Sequence, residues 1–547
     1  MKKFTFSFLL ILSVTWASIS VAQTRYLDPV FASVDTTNNV TYGVNFSIML
    51  NDTLPIPTGM TIPVGVDTAT GQPIYFTMPA LEFDVFEPAG DTVSERPLII
   101  YLHTGTFAPI IRNGNPTGSR TYDVATQIFC NQYAARGYVV ANTDYRLGWN
   151  PALPTEAERG ASLMRAAYRG IQDVKAAIRY FRMDYENGNT FGIDTSRIII
   201  CGQGTGGWIA TCLNSVDKLA ELQLPKFLDA VTAMPLIDTA VYGDWDGFGG
   251  NPQLNMENHK GYSSEHDMIL NMGGAIGDIS WLEAGDKPIA AVHGNLDAIA
   301  RFTTGNLSVQ GINIVSDISG SHDVVKKANM LGNNSAIPQM FDPYTVAAHQ
   351  ASVNLIGTPD FSGVNITEAV PNLFPFNTGN PGEGAPWDYW DSSVVVMLAQ
   401  GQGLPASVGT AAHQNGLTTN PDMSLAKSTA YIDSTLNFFC PRIVNTLMLP
   451  GNAVGINEKD VLKVCKGDDV SKWNVCGGKC VVDHACDPEK WCGTWSKGLY
   501  YNGKKHGFFH EGIWHGRSTR RSDGIFYAGN YRNGLKVGLH GRCYYAQ

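Results

Sequence analysis

The chain has 547 residues, 44% of them hydrophobic and 16% charged, with a formal net charge of −10. That is enough for one large domain and an appendage. The acidic balance argues against nucleic acid or an anionic membrane surface as partner, since both attract basic patches.

The N-terminus reads as an export signal. Lys2 and Lys3 form a basic start, Phe4 to Trp16 an apolar run, and Ser20-Val21-Ala22 offers small residues before Gln23. The run is short for a membrane span, and no later stretch is long and apolar enough to be one. No Cys follows the cleavage point, so a lipoprotein is not expected. The protein is expected outside the cell, at its surface or in a periplasm. Ten cysteines fit an oxidising compartment. Cys130, Cys201, Cys212 and Cys440 lie in the body, and Cys465, Cys476, Cys480, Cys486, Cys492 and Cys543 in the tail. No paired C-x-x-C arrangement points to zinc, so disulfides or free thiols are expected and no metal or cofactor.

Residues 24–96 read as strand-like and turn-rich. Residues 98–102 (Leu-Ile-Ile-Tyr-Leu) are a continuous apolar run suited to a buried parallel strand, and 137–143 repeat the pattern. A helix is expected near 158–183, where Ile171, Val174, Ala177, Ile178 and Phe181 share one face. Residues 197–201 form another buried strand that opens through glycines into a helix from Trp208. A further central strand is expected at 289–293, a helix at 324–331, a strand at 336–341 and a last helix at 424–439. Segments 236–285 and 350–425 read as loop-rich insertions, the kind that cover a site. The expected organisation is a signal peptide over 1–22, an α/β domain over 23–455 and a Cys/Trp/Gly-rich tail over 456–547, β or disordered. Alternating strands and helices predict a doubly wound, mostly parallel sheet with helices on both faces.

Four stretches in chain order carry a resemblance. His103-Thr-Gly-Thr-Phe107 follows the first buried strand, and Asp144-Tyr-Arg-Leu-Gly148 the second. Gly192-Ile-Asp194-x-x-Arg197 leads into the glycine-rich turn, and His293-Gly-x-x-Asp297 follows the later central strand. Together they resemble the α/β-hydrolase superfamily, especially carboxylesterases and hormone-sensitive-lipase-like enzymes, over roughly residues 80–445. The resemblance implies that 103–107 matches the HGGGF oxyanion loop and that Asp297 is the triad acid. It also implies a secreted hydrolase of Bacteroidetes type.

The resemblance breaks at the nucleophile. The family turn is G-x-S-x-G, and here it reads Gly202-Gln203-Gly204-Thr205-Gly206. Gly204 keeps the strained turn and brings no hydroxyl. Thr205 follows that slot, and its side chain is expected to point away from a base. Three histidines compete for the role of base: His349 first, in a loop expected after the 336–341 strand, then His322 and His413. Gly105, Thr106 and Thr205 are expected to offer backbone N–H groups as an oxyanion-type cluster, able to bind carbonyl or carboxylate oxygens without a nucleophile. Trp387-Asp-Tyr-Trp390 reads first as a packing nucleus and second as the wall of a hydrophobic or sugar-binding cleft. Asp244-Trp-Asp246-Gly247 has the spacing of a calcium loop but lacks its remaining ligands.

The tail contains Tyr527-x-Gly-x-Tyr531-x-x-Gly534, which resembles a MORN hairpin repeat. A type IX sorting domain of Bacteroidetes, without its motifs, and a reading-frame error stay open beside it. Two functions remain. One is a pseudo-hydrolase that holds an ester or carboxylate ligand in an esterase-like pocket, and it is preferred. The alternative is an active carboxylesterase or lipase-like hydrolase with a non-standard nucleophile.

Overall fold

The apolar runs named above lie side by side in one eight-stranded sheet. The computed structural model describes residues 24–50, 62–66, 73–77 and 79–449, apart from residues 151, 152, 154, 230, 253, 310, 311 and 341, together with strand segments between 473 and 544. The strands are β1 (Val34–Val44), β2 (Ala80–Pro88), β3 (Arg96–Leu102), β4 (Val139–Thr143), β5 (Ile193–Gln203), β6 (Met268–Met272), β7 (Ile289–Gly294) and β8 (Leu373–Phe376). Their order across the sheet is β1-β2-β4-β3-β5-β6-β7-β8. β2 runs antiparallel to both β1 and β4. Every other neighbouring pair is parallel. This is the α/β-hydrolase fold.

All residues of β3, β4, β6 and β7 are buried, as strands covered on both faces must be. The two-residue period divides β3 between the faces. Leu98, Ile100 and Leu102 join a core with Val174, Ile178 and Ile209, from α2 (Glu156–Glu186) and α3 (Thr205–Ser215). Ile99 and Tyr101 join Phe129, Leu436 and Phe439 in a second core. The helices of that face are α1 (Val124–Ala134) and α4 (Leu425–Thr446). α2 starts at a reciprocal capping box, in which the Thr155 side chain takes the Glu158 N–H and Glu158 returns to the Thr155 N–H.

The sequence reading needs correction in three places. Its loop-rich stretch 236–285 contains β6, a central strand. The run Met-Ile-Leu-Asn-Met is short and lacks β-branched repetition, so its pattern is weak. The expected strand at 336–341 is absent among the described residues, where Asn333–Ala336 make a 3-10 turn. The last parallel strand is instead β8, inside the second loop-rich stretch. Pro375 within it demotes it by sequence, and it is an edge strand paired only with β7, where the missing N–H costs little.

Cys130, Cys201, Cys212 and Cys440 are free and buried, so of the two expectations, disulfides or free thiols, these four are free thiols. Burial pushes the Cys440 thiol up to about 11 and the Cys212 thiol to about 12. Among the described residues no helix is long and apolar enough to cross a membrane. The export signal lies outside the described residues, as do the side chains of the tail cysteines. In the tail, Ile525–Arg532 and Leu535–Tyr544 pair antiparallel, with Arg532 opposite Leu535.

Candidate active-site cavity

The sheet order reverses between β3 and β5, and ligands of doubly wound sheets bind at the carboxyl ends of strands near such a point. The turns after β3, β5, β7 and β8 converge there on a cavity of about 1210 Å³, solvent at its mouth included.

The turn after β5 is the one the glycines foretold. Gly204 is the N-cap of α3 with φ 54° and ψ −114°, a conformation that strongly favours glycine. Close approach on either side explains its neighbours. A Cβ on Gly202 would overlap the Gly206 carbonyl, and one on Gly206 would overlap the Leu102 carbonyl. A Cβ on Gly204 itself would overlap the Thr104 hydroxyl and lie 3.0 Å from Thr104 Cβ. The space that a side chain at 204 would need is thus taken by Thr104, which sequence reasoning passed over.

Thr104 belongs to the oxyanion-like loop, whose backbone turns through positive φ at Gly105 (129°), Thr106 (55°) and Phe107 (53°). The loop is tied down from both sides. A Cβ on Gly105 would lie 2.6 Å from Gly118 Cα. His103 Nε2 lies 3.3 Å from Asp144 Oδ1. Burial opposes the charged ring, but the hydrogen bond and charge of Asp144 outweigh it and raise the His103 pKa. Burial likewise opposes the Asp144 carboxylate, and His103 with Arg120 outweighs it and lowers that pKa. Tyr145 stacks on His103 and donates its hydroxyl to the His103 carbonyl at 2.8 Å. The first helical N–H, on Thr205, has no intrahelical acceptor. The Thr106 N–H donates to no backbone carbonyl among the described residues. Gly105, Thr106 and Thr205 all line the cavity with Gly204. The Thr205 hydroxyl is engaged with Tyr145 at 3.0 Å, which leaves it poorly placed as a nucleophile.

Asp297, on the turn after β7, also lines the cavity and is 7% exposed. Its Oδ1 accepts the N–H groups of Ile299 (2.7 Å) and Ala300 (3.1 Å). Its Oδ2 lies 3.4 Å from His293 Nε2. The His293 ring is held between the Ser321 hydroxyl and the Ala300 carbonyl and packs the turn.

None of the three candidate histidines reaches the lining. His349 is exposed in the middle of a helix, Pro343–Asn354, and not in a loop. His322 is buried at the start of the helix Ser321–Leu331, with Nδ1 2.7 Å from Asp323. His413, in the helix Ala406–Thr419, accepts the Trp390 indole N–H at 3.0 Å. The segment that does meet Asp297 follows β8. Gly382 donates to the Leu296 carbonyl, and a Cβ on Gly384 would overlap the Asp297 carboxylate. Gly382, Gly384 and Ala385 face the cavity. This segment carries no imidazole.

Asp388 is a lining residue that the sequence hid inside Trp387-Asp-Tyr-Trp390. Its Oδ1 accepts from Gln203 Nε2 at 2.6 Å. Burial, reinforced by the charge of Asp123, pushes its carboxyl up to about 8. Burial also pushes Asp123 up to about 6, against the opposing charge of His103. The two tryptophans serve both readings made of them. Trp387 packs on Phe376 at 6.1 Å between ring centres, and its carbonyl takes the Ser428 hydroxyl. Both rings are also cavity wall, with Trp149, Trp208 and Phe107.

Comparison with known proteins agrees with the architecture. Residues 83–310 match the BD-FAE family model. An AB hydrolase superfamily protein of Schizosaccharomyces pombe is 26% identical over 176 residues, 31% of this chain and 43% of that protein. The chain thus spans about two fifths of the curated relative it matches. A thermophilic esterase of the Planctomycetes species Thermogutta terrifontis is similar at 17% identity and a TM-score of 0.27, over 45% of this chain and 74% of its own. A bifunctional GH43-CE protein of Bacteroides eggerthii gives 17% and 0.27, over 42% and 31%. By its sheet order the cavity belongs to an α/β-hydrolase-type domain, and residues 83–310, which carry part of its lining, are similar to the BD-FAE family model.

Proposed function

We propose that this protein is an exported pseudo-hydrolase, which holds an ester or related acyl ligand in the cavity above Gly204 without cleaving it. One observation carries the reading: the strained elbow has glycine at its crest, with the Thr104 hydroxyl in the space a serine side chain would need. Two others agree with it. The segment beside Asp297 bears Ala385 and no base, while the donors Thr106 and Thr205 still face the cavity. A carbonyl oxygen can sit on those N–H groups with no covalent step. Losing one triad member typically costs several orders of magnitude in rate, and here two positions are vacant.

A second reading has an observation of its own. The Thr104 hydroxyl stands at the crest, and no hydrogen-bond partner is found for it among the described residues. An active hydrolase would use it as nucleophile. Purified protein offered p-nitrophenyl acetate and butyrate decides between the two, with a fluorophosphonate probe beside it. The pseudo-hydrolase gives background rates and no label. Turnover abolished by Thr104→Val, with the label on Thr104, would establish the second reading.

A further inference from the structure

In a working triad the acid stands beside an imidazole that becomes cationic, and the cavity is built to stabilise that positive charge. Here the acid remains and the cation does not. Asp297 faces the segment of Gly384 and Ala385, and Asp388 adds a second carboxyl to the same walls. No Lys, Arg or His stands among the described residues of the lining, whereas four tryptophans and Phe107 do. The indole N–H groups of Trp149 and Trp390 are already engaged, by the Arg159 carbonyl and by His413. These two rings therefore meet a ligand mainly through carbon and π surface. Asp297 set among indoles attracts an organic cation by charge and by the ring quadrupole together. A free carboxylate meets the Asp297 charge there and finds no Lys, Arg or His among the described residues of the lining to balance its own.

We infer that the ligand of this cavity carries an organic cation, an alkylammonium or imidazolium group, seated beside Asp297 in the place left by the missing imidazole. The inference rests on the reading of the cavity as a binding site without its base. An ester-bearing ligand would then lay its carbonyl on Thr106 and Thr205 and its cationic arm between Asp297 and the tryptophans. The apolar walls favour small substituents on the nitrogen over a hydrated primary amine.

The test uses an isosteric pair on the full chain, choline and 3,3-dimethylbutan-1-ol, with butyrate and a monosaccharide as further probes. Calorimetry or tryptophan fluorescence reads the binding. Choline is expected to bind at least about tenfold more tightly than its neutral isostere, a difference of about 1.4 kcal/mol. Asp297→Asn is expected to reduce that preference at least several-fold. Ala385→His fills the seat and should abolish choline binding with the melting temperature retained. Equal affinity for the isosteres overturns the inference. So does tighter binding of butyrate or the monosaccharide, or no saturable binding of choline. Choline contains no ester, so its binding is independent of turnover. Ester hydrolysis together with choline binding would sink only the non-catalytic reading.

Discussion

Restoring serine at the elbow should fail unless Thr104 is changed with it. Gly204 sits at φ 54°, ψ −114°, where a side chain stores about 1–3 kcal/mol of strain. In addition, the new Cβ would overlap the Thr104 hydroxyl and lie 3.0 Å from its Cβ. Rotating the hydroxyl away relieves only part of this, because the Cβ contact remains. Overpacking of this kind costs about 1–3 kcal/mol. Gly204→Ser alone is therefore expected to lose about 2–6 kcal/mol in total. Thr104→Gly added to Gly204→Ser removes the overlap and should return about 1–3 kcal/mol, leaving the backbone strain. A double-mutant cycle followed by thermal and urea unfolding reads the coupling directly. The order expected is wild type, then the double variant, then Gly204→Ser. A Gly204→Ser protein as stable as wild type, or additive single changes, would refute the reasoning that Thr104 occupies the nucleophile's space.

The other consequences can be checked on the same footing. Adding Ala385→His to the double variant assembles serine, imidazole and Asp297 around the donors Thr106 and Thr205. It should raise p-nitrophenyl butyrate turnover by at least about 10²-fold over the double variant, and no gain would show that 385 is not the base position. Asp388 has a folded pKa of about 8 against an ordinary 3.8, so the native state holds this proton more tightly. That contribution to stability is complete below about pH 4 and is lost as pH rises to about 8. Asp388→Asn keeps the oxygen that Gln203 bonds, so its melting temperature should gain on wild type between about pH 5 and 8. A pH-independent gap would contradict the assignment. Arg146 and Asp173 form a buried pair with Nε–Oδ1 2.8 Å, and the Arg146 N–H also donates to Asp173. Asp173→Ala leaves the guanidinium unpaired and should cost about 3–5 kcal/mol in unfolding free energy; a loss below about 1 kcal/mol would mean that solvent reaches it.

The sheet is legible where strands read as unbroken apolar runs, at β3, β4, β5 and β7, because burial on both faces leaves no other composition. It is not legible at β6 and β8. Met268-Ile-Leu-Asn-Met272 is too brief to outweigh the glycines and asparagines around it, and Pro375 speaks against a strand anywhere but at an edge. The site divides along the same line. Gly204, Gly105, Thr106, Thr205 and Asp297 can be placed because each stands at a fixed step beyond a legible strand. The base cannot, because the segment that would carry it follows β8, and a missed strand shifts every position after it. The loop expected around His349 depends on a strand that does not form. Thr104 and Asp388 act through tertiary contact alone, Thr104 across to Gly204 and Asp388 to Gln203, and no local pattern announces either.

The shape of the elbow with glycine at its crest has a physical reason that does not involve chemistry at all. Its shape is dictated by three close contacts: Gly202 against Gly206, Gly206 against Leu102, and Gly207 against Asn271. These seat α3 on the sheet, and they would be as tight with any residue at 204. A side chain there only adds strain, so glycine leaves the turn relaxed while the packing holds it in place. The donors on Thr106 and Thr205 are fixed by the same backbone and persist for the same reason. On the proposed reading, a binding cavity of this kind keeps the contacts that pack the turn and lacks only the side chain that would strain it.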